Sequence, residues 1–72
     1  MACDEYSRLQ QEVQEALETL TRLTGEQLSA FKSQDYSSFM RLDKELELTV
    51  GSKERLIGAL RQHTKEHGCQ SF

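Results

Sequence analysis

The stretch that divides this 72-residue chain lies at its middle and reads Ser33-Gln34-Asp35-Tyr36-Ser37-Ser38. Ser and Asp side chains compete for backbone hydrogen bonds, so they favour helix caps and turns over helix interiors. We therefore predict a turn over residues 33–36, with Asp35 as the N-cap of a second helix and Ser37 as the rival N-cap. The chain should double back at this point.

On the N-terminal side of the turn, seam-forming residues recur at steps that alternate between three and four. They are Tyr6, Leu9, Val13, Ala16, Leu20, Leu23, Gln27 and Ala30. This spacing is the heptad signature of a helix that packs along one line of side chains, here called the seam. Asp4 is a suitable N-cap and Glu5 suits the positive end of the helix dipole, so helix one should cover residues 4–32.

The C-terminal half has a seam of the same kind. Its members are Phe39, Leu42, Leu46, Thr49, Lys53, Leu56, Leu60, His63 and His67. Gly68 follows the cationic residues Lys65 and His67, an arrangement typical of a helix C-terminus. We predict helix two over residues 36–67 and a short tail over residues 68–72.

Composition and charge favour an all-α antiparallel hairpin of two helices in a single domain. The chain lacks proline and is rich in helix-forming residues. One continuous helix is the alternative, because neither glycine nor proline breaks the centre. However, residues 4–18 are mainly acidic and residues 53–67 mainly basic, so folding back lays one arm on the other. Each exposed ion pair contributes only about 0.2–1 kcal/mol, but together they favour this orientation.

Apolar residues beyond the two seams predict further association. The candidate interface residues are Leu17, Leu28, Phe31, Met40, Val50, Gly51, Ile57 and Gly58, with Leu48 as an additional exposed leucine. Leaving such side chains in water would forfeit several kcal/mol at roughly 25 cal/mol per Å². We expect a homo-oligomer, most simply a homodimer forming a four-helix bundle, or a helical protein partner. Gly51 and Gly58 either admit close helix approach or are merely tolerated.

One set of residues has the character of metal ligands: Cys3, His63, His67 and Cys69. His63 and His67 are four apart on a helix, and the fold-back brings Cys3 near Cys69, which would give a tetrahedral zinc set. Three alternatives remain open. The histidines can continue the seam beside Tyr6, the cysteines can form a disulfide, or both thiols can be free.

Other function classes are disfavoured. The sequence has no glycine-rich phosphate loop, no HExxH and no CxxC, and a two-helix chain offers no enclosed pocket, so we do not expect an enzyme or a cofactor. A net charge of −3 disfavours nucleic acid. No apolar run reaches transmembrane length, the polar faces mix both signs, and the first residues do not resemble a signal peptide, so we expect a cytoplasmic protein away from membranes.

The acidic-to-basic hairpin with its Asp35-Tyr36 turn is similar to small bacterial α-hairpin families, among them the flagellar export chaperones. The resemblance implies a partner segment held against an apolar helical face, and no functional residue is taken from it. We predict a non-enzymatic protein–protein interaction or scaffold module. The alternative is a zinc-binding or thiol-redox-responsive hairpin with its site where the two chain ends meet.

Overall fold

The computed structural model describes the backbone from residue 2 to residue 67 and the side chains of residues 4–66. Helix α1 spans Ala2–Lys32 and helix α2 spans Tyr36–His67, and the two pack against each other. The molecule measures 49 × 15 × 14 Å, the length of one 32-residue helix at about 1.5 Å per residue. The predicted all-α hairpin is confirmed, and the single continuous helix is wrong.

The N-terminus of α1 differs from the sequence-based expectation. The helix begins at Ala2, two residues before the predicted start, so Asp4 lies in the first turn and is not the N-cap. The physical reason is that Asp4 and Glu5 are also favourable inside a first turn, where carboxylates meet the positive end of the helix dipole. An acidic residue near a helix start therefore marks the region without fixing the capping position.

The end of α1 is a Schellman motif. The Gln34 N–H donates to the Phe31 carbonyl at 3.1 Å, and the Asp35 N–H donates to the Ala30 carbonyl at 2.8 Å. Gln34 has a φ of 60°, in the left-handed region that usually holds glycine at this position. The motif reverses the chain within three residues, Ser33 to Asp35, and satisfies two carbonyls at the end of α1.

Asp35 also starts the second helix. Its Oδ1 accepts a hydrogen bond from the Ser38 N–H at 3.2 Å, the N-cap geometry that the sequence predicted. The rival N-cap Ser37 is wrong, because it lies inside the first turn of α2. Hydrogen bonds from Ser38 lower the pKa of Asp35, with a further contribution from the charge of Arg41, because they stabilise the carboxylate. One residue thus closes α1 through its backbone and opens α2 through its side chain.

The predicted seams form the contact between the helices. Every described seam residue is buried or half-buried, including the polar Gln27, Thr49 and Lys53. The buried apolar residues fall into two clusters. Near the chain ends the cluster is Tyr6, Leu9 and Leu60, and near the turn it is Leu23, Ala30 and Leu42. Between the clusters the described seam residues are only partly covered, because a single neighbouring helix cannot enclose them.

The charges stabilise the hairpin differently from the expectation. Among the side chains of residues 4–66, the ion pairs within 4 Å join residues three or four apart in the same helix. Arg8 pairs with Glu5 and Glu12, and Arg22 pairs with Glu26. The expected direct pairing of the acidic arm with the basic arm is therefore not found in this part of the chain. Among residues 4–66, apolar seam packing and the turn motif hold the fold-back, and opposite charges on the two helices interact there at longer range.

Candidate interaction surface

The residues that flank the two seams form two sides of the hairpin, and both helices contribute to each side. A helix advances by about 100° per residue, so the position after Leu9, Ala16, Leu23 or Ala30 lies to one side of its seam. Two antiparallel helices rotate in opposite senses when viewed from one end. The corresponding positions on α2, which follow Leu42, Thr49, Leu56 and His63, therefore come to the same side. The hairpin therefore has two distinct sides, one on each flank of the seams.

Two contacts between the helices support this assignment. The rings of Phe31 and Tyr36 approach edge to face across the turn, with centroids 6.5 Å apart. The Gln27 Nε2 donates to Asp43 Oδ1 at 3.1 Å, joining an α1 seam residue to the α2 flank. Because Phe31, Tyr36 and Asp43 all occupy this one side, the contacts show that the two flanks meet there.

This side, here called the apolar face, carries most of the exposed large hydrophobic residues. They are Leu17, Leu28, Phe31, Tyr36, Met40 and Val50, with Ile57 half-buried beside them. Leu28 is 54% exposed, Phe31 56% and Met40 60%. Apart from Leu48, the face includes every apolar side chain outside the seams from which the sequence predicted association. It also includes Tyr36 from the predicted turn.

Four of these side chains form a turn cluster: Leu28, Phe31, Tyr36 and Met40. Leu28 and Phe31 are three apart on α1, and Tyr36 and Met40 are four apart on α2, so each pair shares a helix surface. Phe39 lies beneath them, with its ring centroid 5.6 Å from that of Phe31. The cluster joins the buried core near the turn to the exposed apolar face.

The opposite side of the hairpin, here called the charged side, carries both signs of charge. The positions before the seam residues hold Glu5, Glu12 and Glu26 on α1, and Glu45 and Glu66 on α2. Arg8, Arg22 and Arg41 form ion pairs with four of these glutamates. Leu48 points toward this charged side, is 74% exposed and stands apart from the other exposed hydrophobic residues. A single exposed leucine is ordinary for a protein surface, whereas a row of six such residues is not.

The two predicted interface glycines lie away from the apolar face. Gly51 and Gly58 stand opposite the α2 seam, on the outer surface of the hairpin. A Cβ on Gly58 would meet no heavy atom within 4 Å, and one on Gly51 would meet only the Arg55 side chain, at 3.6 Å. Packing within the hairpin therefore does not require glycine at either position.

At the end of the hairpin away from the turn, His63 occupies a buried position in the α2 seam. It is 7% exposed, and its ring lies 6.3 Å from that of Tyr6, tilted by 37°. Of the other predicted ligands, Cys69 and the side chains of Cys3 and His67 lie outside the described residues. Among the side chains that are described, no three His, Cys, Asp or Glu gather in a group suited to a metal ion. Zinc binding stays a prediction.

Sequence reasoning missed Asp43 as a member of the apolar face. This carboxylate occupies the same flank position as Tyr36 and Val50, one heptad from each, and Thr24 holds the matching position on α1. The heptad count contained the signal, because Asp43 directly follows the seam residue Leu42. A polar layer, Thr24 with Asp43, therefore divides the turn cluster from Leu17 and Val50.

No family model, curated protein or solved structure matches this chain. Neither α1 nor α2 contains the long apolar run that a membrane-crossing helix requires. The feature of the hairpin that bears on function is therefore the difference between its apolar face and the opposite side.

Proposed function

We propose that this protein is a non-enzymatic helical interaction module, and that its apolar face mediates self-association into a four-helix bundle. The observation that carries the proposal is the sorting of exposed residues, with six large hydrophobic side chains on one face and ion pairs between glutamates and arginines on the other. Sorting of this kind is typical of a helix pair that buries one face against more helices.

The size and chemistry of the face suit a second hairpin. A surface 49 Å long and 15 Å wide at the Cα atoms is comparable to the roughly 800 Å² per partner that stable complexes bury. Six side chains that are about half exposed would each gain about 1 kcal/mol on full burial. Two copies together gain about 12 kcal/mol from apolar burial. With the cost of lost translational and rotational freedom at its lower value of about 4 kcal/mol, about 8 kcal/mol is left, which corresponds to a micromolar dissociation constant.

Solution mass tests this proposal. Light scattering at micromolar concentration, with reductant present to prevent linkage through Cys3 or Cys69, should give the mass of two or more chains. Circular dichroism on the same sample should show a largely helical chain. A fully helical monomer under these conditions would contradict self-association, because the apolar face would then be stable in water.

A further inference from the structure

We propose that the second copy packs face to face with the first and that both turns lie at the same end of the four-helix bundle. The two hairpins are related by a twofold axis along the bundle. This inference rests on the proposed function and adds to it the orientation and register of the partner. Its basis is the order in which apolar and polar pairs follow one another along the apolar face.

The apolar face consists of four successive pairs, each with one residue from α1 and one from α2. Starting at the turn, the pairs are Phe31 with Tyr36, Thr24 with Asp43, Leu17 with Val50, and Gln10 with Ile57. The turn end is the most apolar, since Leu28 and Met40 flank the first pair. The far end is the most polar, since Ser7, Gln14, Glu54 and Arg61 lie around the last pair.

Rotation about the long axis places α1 of one copy opposite α2 of the other, with each pair facing its own equivalent. Leu28 then faces the second copy's Met40, and the turn cluster meets a turn cluster. Leu17 and Val50 likewise meet their equivalents. Every apolar pair is thus covered by an apolar pair, which maximises the burial that drives association.

The same orientation accommodates the carboxylate of Asp43. In each copy Asp43 accepts a hydrogen bond from Gln27. With the turns together, Asp43 faces Thr24 of the second copy, whose hydroxyl can donate a further hydrogen bond. A carboxylate that becomes buried is tolerated only when such donors surround it.

The two other arrangements are chemically poorer. If the hairpins overlap fully with their turns at opposite ends, the turn cluster meets Gln10, Gln14 and Arg61, and its burial is accompanied by unpaired polar groups. If they are opposed but shifted by one heptad, so that three of the four pairs overlap, the turn cluster reaches Leu17 and Val50. The Asp43 carboxylates of the two copies then meet at the twofold axis, where like charges repel.

Distances between spin labels on the two copies test the orientation. Cys3 and Cys69 are replaced by serine, and Lys65→Cys introduces one label site on the exposed outer surface of α2. Packing distances of about 8–10 Å between neighbouring helices predict a label separation of about 3 nm when the turns lie together. Opposed hairpins would separate the Lys65 labels by about 5 nm or more, given about 1.5 Å per helical residue.

A second label site, Ser37→Cys, completes the test. Short separations at both sites support the proposal. A short separation at Ser37 with a long one at Lys65 would show opposed hairpins shifted by one heptad and would overturn the proposal, as would long separations at both sites. If mass measurements give a dimer while the Lys65 labels lie far apart, only the orientation fails. If the labelled protein is a helical monomer, the proposed function itself fails.

Asp43→Leu tests whether the polar layer selects this orientation, with Glu47→Leu as the matched control one turn further along α2. Both changes add an apolar residue, but only Asp43 belongs to the central pairs. We expect Asp43→Leu to lower the dimer dissociation constant and to add a long component to the Lys65 label distances, because the penalty against other arrangements is removed. The Glu47 variant should keep the short distance alone. A single short distance in both variants would show that Asp43 does not select the orientation.

Discussion

Two exposed leucines on opposite sides of the hairpin allow a matched test of the apolar face. Leu28 lies in the turn cluster and is 54% exposed, while Leu48 lies on the charged side and is 74% exposed. Replacing either with glutamine keeps a good helix former of similar length and adds no charge. Because both side chains are largely in water within one hairpin, neither change should alter its own stability by more than about 0.5 kcal/mol.

The expected effect on association is much larger for Leu28. Fully burying a leucine is worth about 1.5–3 kcal/mol, and somewhat more than half of the Leu28 side chain is still available for burial by a partner. Each copy therefore loses about 1 kcal/mol, and a symmetric dimer loses about 2 kcal/mol. At 1.4 kcal/mol per tenfold, Leu28→Gln should weaken dimerisation by about 30-fold. Leu48→Gln should change it by less than about twofold, since its side chain stays in water.

Sedimentation equilibrium over a series of concentrations measures both dissociation constants directly. Urea denaturation at low concentration, where the variants are monomeric, checks that the hairpin itself is unchanged. Equal effects of the two substitutions would refute the assignment of a single interaction face. A larger effect at Leu48 would instead place the interface on the charged side.

Four further outcomes follow from the turn, the glycines and the chain ends. Gln34→Gly should raise the free energy of unfolding by about 0.5–1 kcal/mol in urea melts, because φ of 60° strains any residue with a Cβ. Asp35→Asn should keep the N-cap but remove part of the acid sensitivity. The lowered pKa of Asp35 stabilises the fold above pH 3.8, and this contribution is lost as the pH falls through the folded-state pKa. Gly58→Ala and its control Gly25→Ala should each stabilise the helix by about 1 kcal/mol, since the added methyl meets no neighbour in the hairpin. Protein purified in reductant without a histidine tag should hold no stoichiometric zinc and should keep its helicity in chelator.

Each of these outcomes has a definite contrary result. A less stable Gln34→Gly variant would show that the side chain of Gln34 contributes more than its backbone strain costs. An acid transition unchanged by Asp35→Asn would remove Asp35 as a source of pH dependence. Weaker association of Gly58→Ala, with Gly25→Ala unaffected, would assign the outer surface of α2 to a partner. Zinc at one equivalent per chain, with helicity lost in chelator, would favour the metal-binding alternative.

The sequence alone predicted the features that depend on residues close together in the chain. A helix brings residues three and four apart to one surface, so the alternating steps identified the buried line on both helices, including the polar Gln27 and Lys53. N-capping depends on one side chain and the backbone three residues later, so Asp35 was also predictable.

Charge and end effects were less specific. The opposite charges of the two arms favoured the correct orientation, but the ion pairs found in the described part of the chain are local, because a helix offers a partner three or four residues away at lower entropic cost. The left-handed residue at the end of α1 is glutamine, for which the sequence carries no signal. The compact turn can hold this conformation because the Schellman hydrogen bonds fix the backbone on both sides of it.

Only the tertiary structure decided which exposed residues belong together. Leu28 directly follows the seam residue Gln27, whereas Leu48 directly precedes the seam residue Thr49, so the heptads place the two leucines on different flanks of their own helices. Whether such a residue adds to the apolar face or stands alone depends on the direction in which the second helix runs past the first. That direction is set by the turn at Gln34 and Asp35. The gathering of the hydrophobic residues on one side is therefore a property of the folded hairpin. The heptad pattern, in contrast, is a property of the sequence itself.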